Sequence, residues 1–568
     1  MKKIYHFLCA VCFLCCFSAC ADMLETDSEL VEYEKDNTLN HPTDSVYSVL
    51  GIINKIQVIA DRTVLLGETR GDLVVTTEAA SADLKRLANF ELSQDNVYNQ
   101  VSDYYAVINN CNYYIAHVDT AMQRRGRQVF KEEYAAVKAF RAWTYLQLVK
   151  AYGKVPLVFT PMMTEREARE ALESEYSDIK AVCNALIDDL TPYANVDLPH
   201  FGTIANTDPD YFFIPMKALL GDLCLWAEKY EDAARWYHDY LNDREKPVLM
   251  EYSNRITWKS ISSFDASNIS DAYAIWSGDE VLSYIPMEKQ AFDGHISELN
   301  NVFNSTTQNS YYFQLTPSKS MRQLSAAQIY CMKYQAESST TVDTIYAPRT
   351  GLFQELYVGD LRLVSNYYEA SLSGQDPYSE RSSLYQSIYK HNGMRVMTYR
   401  SPMVYLHYAE ALNRAGYPQS AFAVLKYGLC QDNLAQAVDA EEQTRAGDLI
   451  KFSTAVFTYK NTRGIHSRGS GDSDCNAHYV LPVPEAALSS LQDTIAYQIP
   501  LVEDMIVDEL ALEGAFEGNR FYDLLRVASR PGRDATYLAD RVARRGGSLD
   551  VSLHTKLMDK NNWFLPLP

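Results

Sequence analysis

The residue with the most specific chemistry in the sequence is Cys20, which closes an export segment. Two lysines follow the initiating methionine, and residues 4–19 form an uncharged, mostly apolar run that ends in Phe-Ser-Ala. Small residues before the cysteine fit a signal-peptidase groove, and the thiol is a nucleophile that can take a diacylglycerol. A plain secretory signal or a membrane helix competes with this interpretation, but the run is shorter than the ~20 residues of a span. The pattern predicts a signal peptide over 1–19, lipidation at Cys20 and a flexible tether over 20–42.

Carboxylates and guanidinium groups recur every three or four residues over 508–526. This spacing places them on one helix face, where they can pair. We interpret the segment as a packing network. The alternative, that Glu513 and Glu517 are paired acid/base carboxylates, would need a cleft and unlike surroundings for the two acids. In the same way, Arg70 and Asp72 are predicted to form a local ion pair beside a turn at Gly67 or Gly71, with ligand contact as the alternative.

Two short segments resemble ligand loops without completing the motif. Residues 464–470 have the glycine spacing of a phosphate-binding loop but lack its lysine. Residues 472–476 alternate oxygen-bearing side chains as a calcium loop does, yet Ala477 and Val483 stand where that loop needs Gly and Glu. The sequence also contains no H-E-x-x-H, G-x-S-x-G or G-x-G-x-x-G. We therefore predict no catalytic residue, no metal and no cofactor.

The elements that would position these residues are mostly helices. Apolar residues recur at helical spacing over 46–64, with an N-cap predicted at Thr43-Asp44-Ser45. Further helices are predicted over 94–122, 131–152 and 176–190. The six cysteines after Cys20 are widely scattered with no C-x-x-C, so most are expected to be buried small hydrophobic residues.

Two helical hairpins have partial tetratricopeptide-like spacing, at 216–241 and 401–427. Small residues such as Gly221 would let two helices approach closely. Between them the sequence is rich in Ser, Thr, Asn, Gly and Tyr. The predicted fold is mainly α, an interrupted tetratricopeptide-repeat-like scaffold with a large insertion of loops and short strands. The predicted regions are helical at 43–241, irregular at 242–399 and helical again at 400–568.

Composition and charge exclude some classes of function. The chain has 47% hydrophobic and 22% charged residues, typical of a globular protein rather than a disordered or membrane-spanning one. Its net charge is −21, and removing residues 1–19 makes it more negative. Such a surface is a poor partner for nucleic acid or anionic lipid. Membrane attachment would therefore depend on the lipid at Cys20.

The sequence resembles the SusD/RagB family of outer-membrane nutrient-uptake lipoproteins. The resemblance runs over nearly the whole chain after the signal peptide. It is carried by LGETRGD at 66–72, YYAVINNCNYYI at 104–115, residues 139–158 and 216–234, YLHYAEALNRAG at 405–416, YVLPVP at 479–484, residues 508–526 and LPLP at 565–568. What the resemblance implies is a protein at the cell surface that caps a SusC-like TonB-dependent transporter and delivers oligosaccharide to it.

Aromatic residues are the best candidates for ligand contact. The chain has 41 Tyr against 21 Phe and 6 Trp, and a tyrosine ring can stack on a sugar while its hydroxyl makes hydrogen bonds. In the family, the loop-to-helix junction after 66–72 often contacts ligand. That resemblance implies ligand contact at Asn96 and Tyr98, and the irregular insertion adds Trp258, Trp276, Tyr311 and Tyr312.

The leading hypothesis is a noncatalytic glycan-binding lipoprotein, anchored in the outer membrane at the cell surface and partnered by a SusC-like transporter. A peptide-binding, RagB-like version is the alternative within the family. Two other classes stay open. A surface glycoside hydrolase would need only two carboxylates brought together by the fold, and a helical-repeat adaptor would bind neither glycan nor peptide.

Overall fold

The computed structural model describes most of the chain after its first 38 residues. The predicted signal peptide, Cys20 and most of the predicted tether lie outside the described residues, as do Trp276 and Cys475. The described ranges are 39–204, 207–250, 257–258, 264–265, 280–287, 294–335, 340–347, 359–371, 384–459, 461–471, 476–486 and 488–567.

Helices form most of the described structure, which confirms the mainly α prediction. None of the described helices is both long and apolar enough to cross a membrane. In chain order they are α1 (Pro42–Thr69), α2 (Ala82–Ala88), α3 (Val101–His117), α4 (Lys131–Tyr152), α5 (Glu165–Leu172), α6 (Ile179–Leu190), α7 (Met216–Trp226), α8 (Tyr230–Leu241), α9 (Leu299–Phe303), α10 (Lys319–Ala327), α11 (Arg362–Asn366), α12 (Ser401–Arg414), α13 (Pro418–Lys426), α14 (Gln431–Ala437), α15 (Ala440–Ala446), α16 (Ser467–Ser470), α17 (Leu491–Gly514), α18 (Arg520–Ser529), α19 (Ala535–Ala543) and α20 (Val551–Leu557).

The strands are short and pair antiparallel, two at a time, within the described ranges. Most lie in the predicted insertion, as expected. The pairs are β1 (Val74–Thr76) with β9 (Leu315–Pro317), β2 (Gln123–Arg124) with β3 (Arg127–Gln128), β4 (Lys154–Pro156) with β5 (Tyr176–Asp178), β6 (Thr257–Trp258) with β7 (Phe264–Asp265), β8 (Val281–Pro286) with β14 (Arg395–Arg400), β10 (Tyr330–Tyr334) with β11 (Asp343–Ala347), and β12 (Tyr367–Ser371) with β13 (Leu384–Ile388).

The two predicted helical hairpins are present, and they pack on each other. α7 and α8 form the first, α12 and α13 form the second, and α8 lies directly against α12. A Cβ on Gly221 would lie 2.4 Å from the Tyr237 ring, so only glycine lets α8 approach α7 this closely. The two hairpins therefore stack as neighbouring repeats. The insertion lies between them in the sequence but does not separate them in space.

The ends of the described chain meet. α1 packs against α3 and also against α18, so the helices from the start and from the end of the chain bury their apolar faces together. The buried apolar residues of both regions form one continuous core. Burial in that core is the main force that holds the frame in one shape.

Several helix boundaries differ from the prediction. α1 begins at Pro42 because His41 is the N-cap, whose Nδ1 accepts a hydrogen bond from Thr43 N at 3.2 Å. The N-cap predicted at Thr43-Asp44-Ser45 is therefore wrong, since these residues are already helical. Gly67 also lies inside α1 rather than in a turn.

The helix predicted over 94–122 is shorter at both ends, whereas α4 has the predicted bounds. Residues before Val101 form a loop, and after His117 the chain enters the β2–β3 hairpin. The predicted helix over 176–190 begins only at Ile179, because the three residues before it form β5. Cys183, Leu186, Ile187 and Leu190 of this helix are buried in the core.

The described cysteines agree with their prediction. All five are free thiols and buried: Cys111, Cys183, Cys224, Cys331 and Cys430. Burial raises the pKa of the Cys111 thiol to about 12, so it stays protonated and unreactive.

The last turn of α1 makes folding stability depend on pH. Burial raises the pKa of Glu68 to about 7, although Gly518 N donates to its Oε1 at 2.9 Å. The folded state therefore keeps a proton that the unfolded chain releases above pH ~4.5, so stability falls as pH rises to 7.

Between pH 4.5 and 8, we expect the unfolding free energy of wild type to fall by about 3 kcal/mol more than that of Glu68→Gln. Urea unfolding of wild type and Glu68→Gln at several pH values measures the difference in unfolding free energy. Glu165→Gln, which changes an exposed glutamate, is the control. Parallel pH profiles would contradict it.

Candidate functional site

The loop over 305–314 presents a tyrosine to solvent in a constrained backbone. Tyr311 is 42% exposed, and both Ser310 and Tyr311 have left-handed backbone angles, with φ of 55° and 64°. For non-glycine residues this region of φ costs free energy and is found most often where structure around it is fixed, frequently at functional sites. Tyr312 follows and is half-buried.

An asparagine fixes the shape of this loop. Asn309 Oδ1 accepts from Thr306 N at 2.9 Å, and its Nδ2 donates to the carbonyl oxygens of Asn301 and Asn304 at 3.1 and 2.8 Å. Tyr311 N donates to Thr306 O at 2.8 Å. Because these bonds tie the loop to α9 and to itself, the backbone that carries Tyr311 is ordered before any ligand arrives.

Tyr98 lies in a second loop, over residues 93–100, and is half-buried. Burial raises the pKa of its phenol, while a hydrogen bond with Ser81 lowers it and the charges of Asp83 and Asp61 raise it further. The net shift is upward, so Tyr98 stays a neutral hydroxyl that can donate and accept. Its neighbour Val97 is 56% exposed.

Ser81 joins the two loops. Its backbone N donates to Gln314 Oε1 at 2.9 Å, and its side chain caps α2 by accepting from Leu84 N at 3.2 Å. Thr77 adds two bonds, from its hydroxyl to Phe313 O at 2.7 Å and from its N to Gln314 O at 2.9 Å. The pairing of β1 with β9 continues the same contact.

We call the result the tyrosine-bearing surface, defined by Tyr98, Tyr311, Tyr312, Ser81 and Gln314. It offers aromatic rings beside amide and hydroxyl groups on a scaffold that is already ordered. Such a combination suits binding of a neutral, hydroxyl-rich molecule by stacking and hydrogen bonds.

The other predicted contact residues are placed differently. Asn96 is 2% exposed, and its side chain bonds Asp83 O at 3.1 Å and Tyr98 N at 3.0 Å, so it shapes the loop beneath Tyr98. Trp258 lies in β6, opposite Phe264 of β7. Trp276 is outside the described residues. Ligand contact at all six positions stays a prediction.

The carboxylates of 508–526 form a buried ion-pair network, which confirms the packing interpretation. Glu513 is fully buried and pairs with three guanidinium groups, from Arg362 at 3.4 Å, Arg400 at 3.1 Å and Arg468 at 3.1 Å. Burial alone would raise the pKa of Glu513, but these arginines outweigh it and hold the pKa well below its ordinary value. Glu513 is therefore ionised and inaccessible, unlike a general acid.

Arg526 pairs with Asp523 at 2.9 Å within the segment, as predicted, but most of the other pairing partners differ from the predicted ones. One continuous helix was expected to supply both signs of charge, but α17 ends at Gly514 and α18 begins at Arg520. The arginines that face Glu513 come from the insertion, from β14 and from α16 instead. Glu517 lies between the two helices and pairs with Arg400 at 2.6 Å.

The predicted local pair of Arg70 and Asp72 is wrong. Arg70 donates to Leu66 O and Trp563 O, both at 2.8 Å, while Asp72 pairs with Arg520 at 2.5 Å. Both side chains are buried, which leaves them no access to a ligand. They join α1 to the end of the chain.

No group of three or more His, Cys, Asp or Glu in the described ranges is arranged to hold a metal ion. The segment that resembled a calcium loop lies mostly outside those ranges, with Asn476 described. The glycine-rich segment 464–470 is buried, and Arg468 pairs there with Glu280. It therefore cannot receive a phosphate from solvent.

The described helices form a helical-repeat scaffold, and solved structures share this fold. A SusD superfamily protein from Bacteroides vulgatus ATCC 8482 superposes with a TM-score of 0.56 over 92% of this chain and 95% of that chain, at 14% identity. A SusD superfamily protein from Bacteroides fragilis NCTC 9343 gives 0.55 over 91% and 95%, at 16% identity. Surface glycan-binding protein A from Bacteroides fluxus gives 0.54 over 93% and 96%, at 16% identity.

This protein therefore has the SusD fold, and the predicted resemblance is confirmed. No protein-family model and no curated protein matches the sequence.

Proposed function

We propose that the protein is a noncatalytic, glycan-binding lipoprotein of the cell surface. The observation that carries the proposal is the tyrosine-bearing surface, in which Tyr98 and Tyr311 lie on two loops joined through Ser81 and Gln314. Rings with one polar end stack on the C–H faces of sugars, and neighbouring amides and hydroxyls bond the sugar hydroxyls. The proposal is supported by a solved structure of the same fold, which is named a surface glycan-binding protein.

Attachment and delivery complete the proposal. The lipid at Cys20 anchors the chain in the outer membrane, because the net charge of −21 gives no attraction to anionic lipid. A SusC-like TonB-dependent transporter receives the oligosaccharide, and the tetratricopeptide-like hairpins pack on it. Capture must be reversible, so dissociation constants in the micromolar range suit the task.

Binding without cleavage is the property to test. The mature chain, residues 20–568, is titrated calorimetrically with oligosaccharides from amylose, xylan, mannan and pectin, and the recovered sugar is assayed for new reducing ends. We expect saturable binding to at least one series, with the sugar recovered intact. New reducing ends would establish a glycoside hydrolase. Binding to peptides of a casein digest but to no sugar would establish the peptide-binding alternative, and binding to neither would favour an adaptor.

A further inference from the structure

An open cleft lies beside residues 561–567. Its volume is about 840 Å³, and its walls are this segment, the end of α4, strand β5 and the loop after α2. The volume is that of a ligand pocket. We call it the 561–567 cleft.

One wall of the cleft is a rigid aromatic platform. The ring of Phe564 lies against the backbone of Gly153, where an added Cβ would be 2.8 Å from the ring, and Gly153 has a φ of 77°. Leu565 N donates to Ala151 O at 2.9 Å, and the buried Trp563 donates to Leu557 O at 2.8 Å. Both chain neighbours of Phe564 are therefore fixed, and its half-buried ring packs on Gly153.

A second ring and several polar groups line the same cleft. Tyr176 is 41% exposed and is held in β5 by pairing with Pro156. The side-chain amide of Asn561 and the ammonium of Lys154 bond no other described residue, and Asp178 uses one carboxylate oxygen to cap α6. Hydrogen-bond donors and acceptors beside two aromatic rings are the groups with which proteins bind the hydroxyls and C–H faces of a sugar. The third charged residue of the lining, Lys180, pairs with Glu228 at 2.7 Å. The opposite charges of Lys154 and Asp178 then leave the cleft without a strong preference for a charged ligand.

The cleft adjoins the tyrosine-bearing surface. Gln94 Nε2 donates to Leu567 O at 2.7 Å, and Asn99 Nδ2 donates to Pro566 O at 3.0 Å. Both residues belong to the loop that carries Tyr98. One loop therefore forms the border between the two sites.

We propose that the 561–567 cleft is a second sugar subsite, which binds the far end of an oligosaccharide held at the tyrosine-bearing surface. The inference rests on the proposed glycan-binding function and extends it, since it makes the protein selective for long chains. Two linked contacts raise the affinity for a ligand that reaches both, and leave short ligands unaffected.

Calorimetric titration with size-graded oligosaccharides tests the inference. The probes are oligosaccharides of two to eight sugars from the amylose, xylan, mannan and pectin series. Each is titrated into wild type and into the double variant Tyr176→Ala/Asn561→Ala. In the series that binds, we expect the double variant to lose about 10-fold affinity for the octasaccharide and none for the disaccharide. Lys154→Ala is a second, independent variant, and Tyr497→Ala, an exposed tyrosine elsewhere, is the control.

Two results would overturn the inference while leaving the proposed function intact. Wild type could bind all lengths equally, or the cleft variants could bind the octasaccharide as tightly as wild type does. If wild type binds no oligosaccharide of any length, the proposed function fails and the subsite fails with it. Circular dichroism of each variant establishes that it is folded.

Discussion

Glu513→Gln is expected to destabilise the protein by about 3–5 kcal/mol, the largest effect of any single change considered. The substitution keeps the size of the side chain but leaves the guanidinium groups of Arg362, Arg400 and Arg468 with one carboxylate fewer in a dry interior. Removing one partner of a buried ion pair costs this much. Each of the three guanidinium groups loses one of its buried carboxylate partners, while Arg362 keeps Asp360 and Glu509, Arg400 keeps Glu517 and Arg468 keeps Glu280. Urea unfolding followed by circular dichroism at pH 7 measures the change.

A matched control separates burial from the loss of a charge. Glu170→Gln also removes one partner of an ion pair, with Arg166 at 2.8 Å, but both side chains are largely exposed. Such a pair contributes only a few tenths of a kcal/mol. Equal effects of the two substitutions would show that the network at Glu513 does not hold the fold together. Folded Glu513→Gln should bind sugar as wild type does, since the carboxylate is remote from solvent.

Tyr98→Ala/Tyr311→Ala is expected to weaken oligosaccharide binding by at least about 30-fold. Each lost ring removes stacking and buried apolar area worth about 1–2 kcal/mol, and two losses multiply in the affinity. Tyr311 is exposed, so most of its loss should fall on binding rather than on stability. Calorimetric titration with the sugar series that wild type binds gives the value.

Two further variants show whether the tyrosine rings are responsible. Tyr98→Phe keeps the ring and should retain most of the affinity. Tyr368→Ala removes a tyrosine that is 48% exposed on the β12–β13 hairpin and should leave binding unchanged. If the double alanine variant binds within twofold of wild type, the tyrosine-bearing surface is not the binding site.

The helices could be predicted where local signals are complete. α4 has the predicted bounds because an apolar pattern runs to Tyr152 and Gly153 then adopts a positive φ that ends the helix. The helix predicted from residue 94 begins later because Asn96 accepts from Tyr98 N in a local turn and because Asn99 bonds Pro566 O, a partner 467 positions away. The residues near Asn99 in the sequence do not indicate a partner so far away in the chain.

The site could be predicted only in part for the same reason. The sequence predicts Tyr98 and Tyr311 as separate contact residues, but their connection depends on Ser81 and Gln314, which are 233 positions apart. Neither residue type is distinctive in the sequence. The 561–567 cleft was also missed, because Phe564 and Tyr176 acquire a common surface only when the chain folds.

A crystal structure of the mature chain with a bound oligosaccharide from the panel tests the central claim most directly. The account predicts an intact sugar with one ring stacked on Tyr311 and a hydroxyl within hydrogen-bonding distance of Tyr98 or Gln314. A sugar bound elsewhere on the chain, with Tyr311 facing empty solvent, would contradict it.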